Sequence, residues 1–257
     1  MKIWMSALLL VFLVAQPVFA EAPFSSKKNL AIVIDDFGNN MKGTEEMLQL
    51  PIKLTVAIMP FLSSTKEDAE LAFHNGHEVI VHLPMEPKKG KKSWLGPQAI
   101  TTDLSDDEMR RRVEAAIQDV PHAVGMNHHM GSKATEDERV MRIVLEICKE
   151  KGLFYLDSKT TGNSVVSKLA TELEVPFLEN GLFFDDVYTT EHIKKQAHLL
   201  EQKLSELEQI IAIGHVGVSG PMMVDVLKEY IPAFQNKANI VGLSDLIPEY
   251  RMLEQGL

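Results

Sequence analysis

The stretch Leu30-Ala-Ile-Val-Ile-Asp-Asp-Phe-Gly38 decides how the chain is read. Its first five residues form an unbroken apolar run rich in β-branched side chains. That is the pattern of a strand buried on both faces, as in a parallel sheet. The run stops on two adjacent carboxylates. Comparable runs follow at residues 54–59, 78–83, 123–126, 153–156, 182–184, 210–213 and 240–243. Helical segments fill the intervals. Ser64-Thr-Lys-Glu67, Ser105-Asp-Asp-Glu108 and Thr135-Glu-Asp-Glu138 have the spacing of capping boxes, in which a hydroxyl accepts from a free helix N–H. Ile193, Ala197, Leu200, Leu204 and Leu207 recur at 4-3-4-3 and make one apolar helix face. Gly76 and Gly152 sit where helices should end.

Strand and helix alternating about seven times predict an α/β fold with a parallel sheet. The expected architecture is a single-domain, distorted (β/α) barrel of about seven parallel strands over residues 30–257. An open, doubly wound sheet fits the same periodicity.

The 257 residues are 45% hydrophobic and 24% charged, which excludes a disordered, collagenous or coiled-coil chain. The formal net charge of -10 argues against a general nucleic-acid binder, which needs a basic face. Residues 1–20 read as a signal peptide. Lys2 is followed by an apolar run over 7–15, a breaking Pro17 and small residues before a cut after Ala20. The run is too short to span a bilayer, so the chain is expected to be exported, with no stable membrane span after cleavage. The address is then periplasmic, cell-wall associated or extracellular. Residues 21–29 are a polar lead-in. Cys148 is the single cysteine, on an apolar stripe with Val140, Val144 and Ile147, and reads as a buried structural thiol.

The chemistry is expected where the strands end, because parallel α/β folds point all strand C-termini to one face. Those ends carry Asp35-Asp36, His82 with Glu86 four residues on, Asn127-His128-His129, Asp157-Ser158, Asp185-Asp186 and Gly214-His215. Successive residues on a strand point to opposite sides, so Asp35 and Asp36 should hold different roles. A carboxylate with two histidines is a common ligand set for Zn²⁺ and leaves room for water and substrate. At most one ring of His128-His129 is expected to face the site. The bland alternatives are a turn-and-cap pair at Asp35-Asp36, a core histidine at His82, and helix caps at Asp157, Asp185 and Asp186. The loop over residues 84–104 is long and basic around Lys88, Lys89, Lys91 and Lys92. Its Trp94 suits stacking on a sugar, or packing as an anchor.

Taken together, Ile32-Val-Ile-Asp-Asp-Phe-Gly38, Gly76-His-Glu-Val-Ile-Val-His-Leu-Pro-Met-Glu-Pro87, Gly125-Met-Asn-His-His-Met-Gly-Ser132, Phe154-Tyr-Leu-Asp-Ser158 and Ile211-Ala-Ile-Gly-His215 resemble the divergent polysaccharide deacetylases. The resemblance covers nearly all of residues 30–247. It implies a distorted barrel of about seven strands and a hydrolase that removes N-acyl groups from a cell-wall or extracellular polysaccharide. It also implies one divalent metal ion, most simply Zn²⁺. Asp35 falls on the catalytic base, Asp36 on a metal ligand and His215 on the general acid. The broader deacetylases take two metal histidines from His-x3-His, whereas position four after His82 is Glu86. We therefore assign the metal to Asp36, His82 and His129. Glu86, Trp94, Asn127, His128, Asp157 and Asp186 are assigned to the substrate. The rival functions are a catalytically degenerate glycan-binding or envelope scaffold, and another metal hydrolase, a phosphoesterase or amidase. The phosphoesterase version would draw a second metal to Asp185-Asp186. The sequence does not identify a protein partner.

Overall fold

The computed structural model describes residues 27–248, so the signal-peptide assignment and most of the lead-in lie outside the described residues. Nine parallel strands form one sheet: β1 (Lys28–Phe37), β2 (Thr55–Ile58), β3 (Glu78–Met85), β4 (Ala123–Met130), β5 (Phe154–Asp157), β6 (Phe177–Glu179), β7 (Leu182–Phe183), β8 (Gln209–His215) and β9 (Ala238–Val241). The helices are α1 (Thr44–Leu48), α2 (Thr65–His74), α3 (Asp106–Asp119), α4 (Glu138–Lys151), α5 (Val166–Leu173), α6 (Thr190–Lys203) and α7 (Gly220–Lys237).

The strand order is β6-β5-β4-β3-β2-β1-β8-β7. The two ends of this path are consecutive in the chain, joined by Asn180-Gly181, so the sheet curls into a barrel interrupted only between β6 and β7. The linker bonds both sides of the gap: Asn180 N–H donates to Asp157 O and Gly181 N–H to Ile211 O. This order excludes the open doubly wound alternative. Eight strands ring the barrel rather than about seven. The extra one is β6, three residues between Pro176 and Asn180, too short to register as a periodic run. β9 pairs with the first residues of β1, and β2 with its last. With β8 along the opposite edge of β1, β2 and β9 share one edge.

Alternation along the strands builds two cores. Ala31, Val33, Ala57, Ile80, Phe154, Leu156, Ile211 and Ile213 fill the barrel interior. Leu30, Ile32, Ile34, Val56, Val79, Val81, Met126 and Tyr155 pack outward against the helices. Leu243, Leu246 and Ile247 join the interior cluster at the strand N-termini. There Glu78 accepts from Thr55 Oγ1 at 2.8 Å and Leu243 N at 2.7 Å, pinning the segment after β9 beneath the barrel. Gly125 faces the Phe154 ring so closely that a Cβ would lie 2.4 Å from it, which explains a glycine in a central strand.

Of the three expected capping boxes, only Ser105 caps as read, accepting from Glu108 N–H. Ser64 Oγ instead donates to Asp68 and accepts from Asn40 N–H. Thr135 is buried in a short 3-10 turn and donates to Gly131 O, and Asp137 caps α4 in its place. α6 ends at Lys203, which leaves Leu207 exposed outside it. Gly76 and Gly152 hold the left-handed conformations expected of helix ends. Cys148 is buried, and burial pushes its thiol up to about 12, as befits an inert core group.

The end of β1 is the least regular part of the sheet. The register with β2 slips between Ile34 and Phe37, and Asp36 takes φ 71. Gly38 follows at φ 114, where a Cβ would lie 2.7 Å from Met59 O. Its N–H donates to the buried Asp68 at 2.7 Å. A side chain at Gly38 is opposed by both conformation and space. Gly38→Ala is expected to cost about 1–3 kcal/mol. Chemical denaturation should show a lower midpoint at unchanged slope, and an unchanged midpoint would contradict the role given to this corner.

Candidate functional site

The alternation that fills the barrel also chooses what reaches its mouth. Continuing the interior positions past the apolar layer gives Asp35 on β1, His82 on β3, Asn127 and His129 on β4, and His215 on β8. The outward positions give His128 and Asp157. A cleft of about 640 Å³ opens at this end. It is lined by Asp35, Asp36, His82, His128, His129 and His215, with Met41, Met59, Leu62, Trp94, Phe183, Tyr188 and Val218 among its apolar walls. Tyr188, Trp94 and Val218 are 60%, 58% and 72% exposed, an unusual degree for such side chains.

Asp35 and Asp36 do not part to opposite sides as a regular strand would require. The positive φ at Asp36 turns its carboxylate back into the mouth, so both acids face His82. Asp35 Oδ2 lies 3.8 Å and Asp36 Oδ1 3.2 Å from His82 Nε2. His129 Nδ1 lies 2.9 Å from the same Asp36 oxygen and 3.3 Å from His82 Nε2. Asp36 Oδ1 is buried and has no hydrogen-bond partner of acceptable geometry, although two imidazole nitrogens stand beside it. The three atoms converge on a common point.

This arrangement fits a metal ion. Zinc bonds of about 2.0–2.1 Å at tetrahedral angles separate neighbouring donors by about 3.3 Å, close to the 2.9–3.3 Å found here. The second contact of each ring agrees. His82 Nδ1 meets Asn127 Oδ1 at 2.7 Å, and His129 Nε2 meets Trp94 O at 2.9 Å. Both partners are carbonyl oxygens, so each ring donates outward, and in the neutral form the inner nitrogen is the lone pair. Among the described residues, Asp36, His82 and His129 form the one cluster of three such groups able to hold a metal.

The electrostatics favour positive charge at this point. Burial opposes ionisation of Asp36, but the contacts with His129 and His82 outweigh it and hold the carboxyl well below its ordinary range. Burial would lower the pKa of His82, yet Asp35 and Asp36 raise it. Asp35 is pushed up, chiefly by burial, against the lowering effect of His82 and His215. Asp35 and His215 are register partners on adjacent strands. Burial would lower His215 as well. Asp185 overcomes this, aided by Asp36 and Asp35, and takes the imidazole up to about 10. Asp185 accepts from His215 N at 3.0 Å and contacts its Nδ1 at 2.8 Å, so His215 is an imidazolium at neutral pH.

Several residues assigned to the substrate stand elsewhere. Glu86 is not in the cleft lining; it accepts from Thr102 N–H and Oγ1 and pairs with Lys133, clamping the long loop after β3. Asn127 is fully buried and both ends of its amide are used within the protein. His128 borders the cleft, but its ring bonds the buried Tyr155 hydroxyl, and burial lowers its pKa to about 3. Asp157 accepts from Lys159 N–H in the turn after β5. Asp186 is exposed and pairs with His192 at 2.6 Å. Only Trp94 keeps an open face to the cleft. The contribution of Asp185 was missed because it read equally as a helix cap, and nothing in the sequence ties it to His215. Tyr188 and Val218 carried no signal beyond lying in loops.

Residues 32–247 match the sequence profile of the family described as divergent polysaccharide deacetylase. The uncharacterized protein YibQ of Escherichia coli is 34% identical over 220 residues, 86% of this chain and 67% of its own length. Among solved structures, an uncharacterized protein of Agrobacterium tumefaciens superposes with a TM-score of 0.78 at 20% identity, covering 87% of this chain and 90% of that one. A putative polysaccharide deacetylase of Mycobacterium smegmatis gives a TM-score of 0.59 at 14% identity, covering 93% and 95%. At those identities the two structures speak for the fold alone. The profile match covers all of the barrel but the first residues of β1, with every strand end that lines the mouth, and by it the chain belongs to the divergent polysaccharide deacetylase family.

Proposed function

We propose that the protein is an exported, metal-dependent hydrolase that removes N-acyl groups, acetyl in the simplest case, from a cell-wall or extracellular polysaccharide. The observation that carries this reading is the convergence of Asp36, His82 and His129 within 2.9–3.3 Å of one another, with Asp35 and His215 beside them. One carboxylate and two imidazoles suit Zn²⁺, which when bound supplies Lewis acidity toward an acyl carbonyl and a lowered pKa for water.

The remaining steps belong to the chain. Asp35 takes the proton of the attacking water; burial makes it a stronger base than an exposed aspartate. His215, held as imidazolium by Asp185, gives a proton to the departing amine as the C–N bond breaks. Trp94 and Tyr188 offer aromatic faces on which sugar rings can stack at the rim. Two observations disfavour a two-metal phosphoesterase. Asp185 is committed to His215 and Ser219, and Asp186 to His192. No helix among the described residues is long and apolar enough to cross a membrane.

The test is acetate release from N-acetylated chitooligosaccharide or peptidoglycan strands by residues 21–257. Chelation should abolish release and zinc restore it. Asp35→Asn should keep the metal and lose about 10²–10⁴-fold in turnover. Undiminished turnover in that variant would exclude this mechanism; glycan binding by wild type with no turnover would favour the scaffold reading.

Trp94 is the only tryptophan of residues 21–257, and its carbonyl is bonded to His129. Zinc should therefore change the intrinsic fluorescence of the wild type and leave that of His129→Ala unchanged. Equal responses would place the ion elsewhere.

Because the folded pKa of His215 is raised, the acid form persists well above neutrality and is lost only near about 10. In Asp185→Asn its NMR titration and the alkaline limb of kcat/KM should both move to lower pH. A limb that stays in place would remove His215 from the acid role.

A further inference from the structure

Asn127 stands at the centre of the site without touching the cleft. It is fully buried on β4, between the proposed base and a proposed metal ligand. Its Oδ1 lies 2.7 Å from His82 Nδ1, and its Nδ2 lies 2.9 Å from Asp35 Oδ1. A third, longer contact of 3.5 Å joins Nδ2 to Ser158 Oγ. The direction of this chain is settled by the groups at its ends. The amide presents its NH2 to an Asp35 carboxylate oxygen and its own oxygen to His82, and an amide oxygen only accepts. The amide oxygen is then left facing His82 Nδ1, which must carry the hydrogen. In the neutral ring, the form that binds a cation, Nε2 of His82, 3.2 Å from Asp36 Oδ1, is thereby left as the lone pair. The same bond from Nδ2 occupies one oxygen of Asp35 and leaves Oδ2, 3.8 Å from His82 Nε2, turned toward the mouth.

We infer that Asn127 is a positioning residue that sets both halves of the site through the two ends of one amide. Its oxygen selects the tautomer of His82 needed to bind a cation. Its NH2 group orients Asp35 so that its free oxygen faces the attacking water. The inference rests on the metal-hydrolase reading above and adds to it. A substrate-binding asparagine would keep an open donor or acceptor, whereas this one has both ends occupied and no exposed surface. A merely space-filling residue would not need this polarity, because an apolar side chain of like size would fill the place.

Two near-isosteric variants separate these possibilities. Asn127→Leu removes both ends of the amide. Asn127→Asp keeps an oxygen to accept from His82 Nδ1 but cannot, when ionised, donate to Asp35. Zinc affinity of residues 21–257 would be measured by competition with a chromophoric chelator, with thermal unfolding recorded alongside. Asn127→Leu is expected to bind zinc about 10–100-fold more weakly than wild type, the usual cost of losing such a supporting contact. Asn127→Asp should bind within about threefold of wild type or more tightly, since the ligand's partner is kept and an anion is added. The downfield proton signal of His82 Nδ1–H should persist in Asn127→Asp and disappear in Asn127→Leu, a difference that loss of packing alone would not produce. Wild-type affinity in Asn127→Leu, or equal weakening in both variants, would overturn the inference and leave the metal reading standing. Failure of the wild type itself to bind zinc would overturn the metal reading and this inference with it.

Discussion

Two carboxylates in succession on a strand should face away from each other, and in this protein they do not. The corner at Asp35-Asp36-Phe37-Gly38 is where β1 abandons regular pairing, Asp36 enters a left-handed conformation and Gly38 tucks against Met59 O. Asp68 holds the corner from α2 by accepting from Gly38 N–H. The local strain is concentrated where two acids must meet one imidazole. Without it, the interior position would deliver Asp35 alone, and Asp36 would point into the helix layer.

The rest of the mouth answers that concentration of negative charge. His82 and His129 bring their inner nitrogens to the Asp36 oxygen, and their outer nitrogens are tied to carbonyl oxygens. His215, on the neighbouring strand, takes up its own proton under the influence of a separate acid, Asp185. Two carboxylates of one sequence pair thus acquire different characters. Burial raises Asp35, while the histidines hold Asp36 ionised. The roles proposed for them, proton acceptor and anionic ligand, would then fall to chemically identical neighbours separated by environment alone.

The barrel was legible because apolar runs and carboxylate or imidazole ends recur at every strand, and the parallel arrangement forces those ends together. The family followed from the same stretches. The strand missed, β6, is three residues long and leaves no period to read. Roles within the mouth were less legible, for a definite reason. Alternation separates inward from outward positions only once the register is known. With it known, His129 and Asn127 turn inward, while His128 and Asp157 turn outward to Tyr155 and Lys159. Glu86 finds its partners in Thr102 and Lys133, well along the chain, and Asp186 pairs with His192 in the first turn of α6, which the strand-end pattern does not announce. The expectation of opposed aspartates failed on a single backbone angle, which spacing cannot reveal.

The most direct test is anomalous X-ray diffraction at the zinc edge from crystals of residues 21–257 grown with zinc. One strong peak is expected at bonding distance, about 2.0–2.2 Å, from Asp36 Oδ1, His82 Nε2 and His129 Nδ1 together. A peak centred on other side chains, or none at the barrel mouth under saturating zinc, would contradict this ligand set.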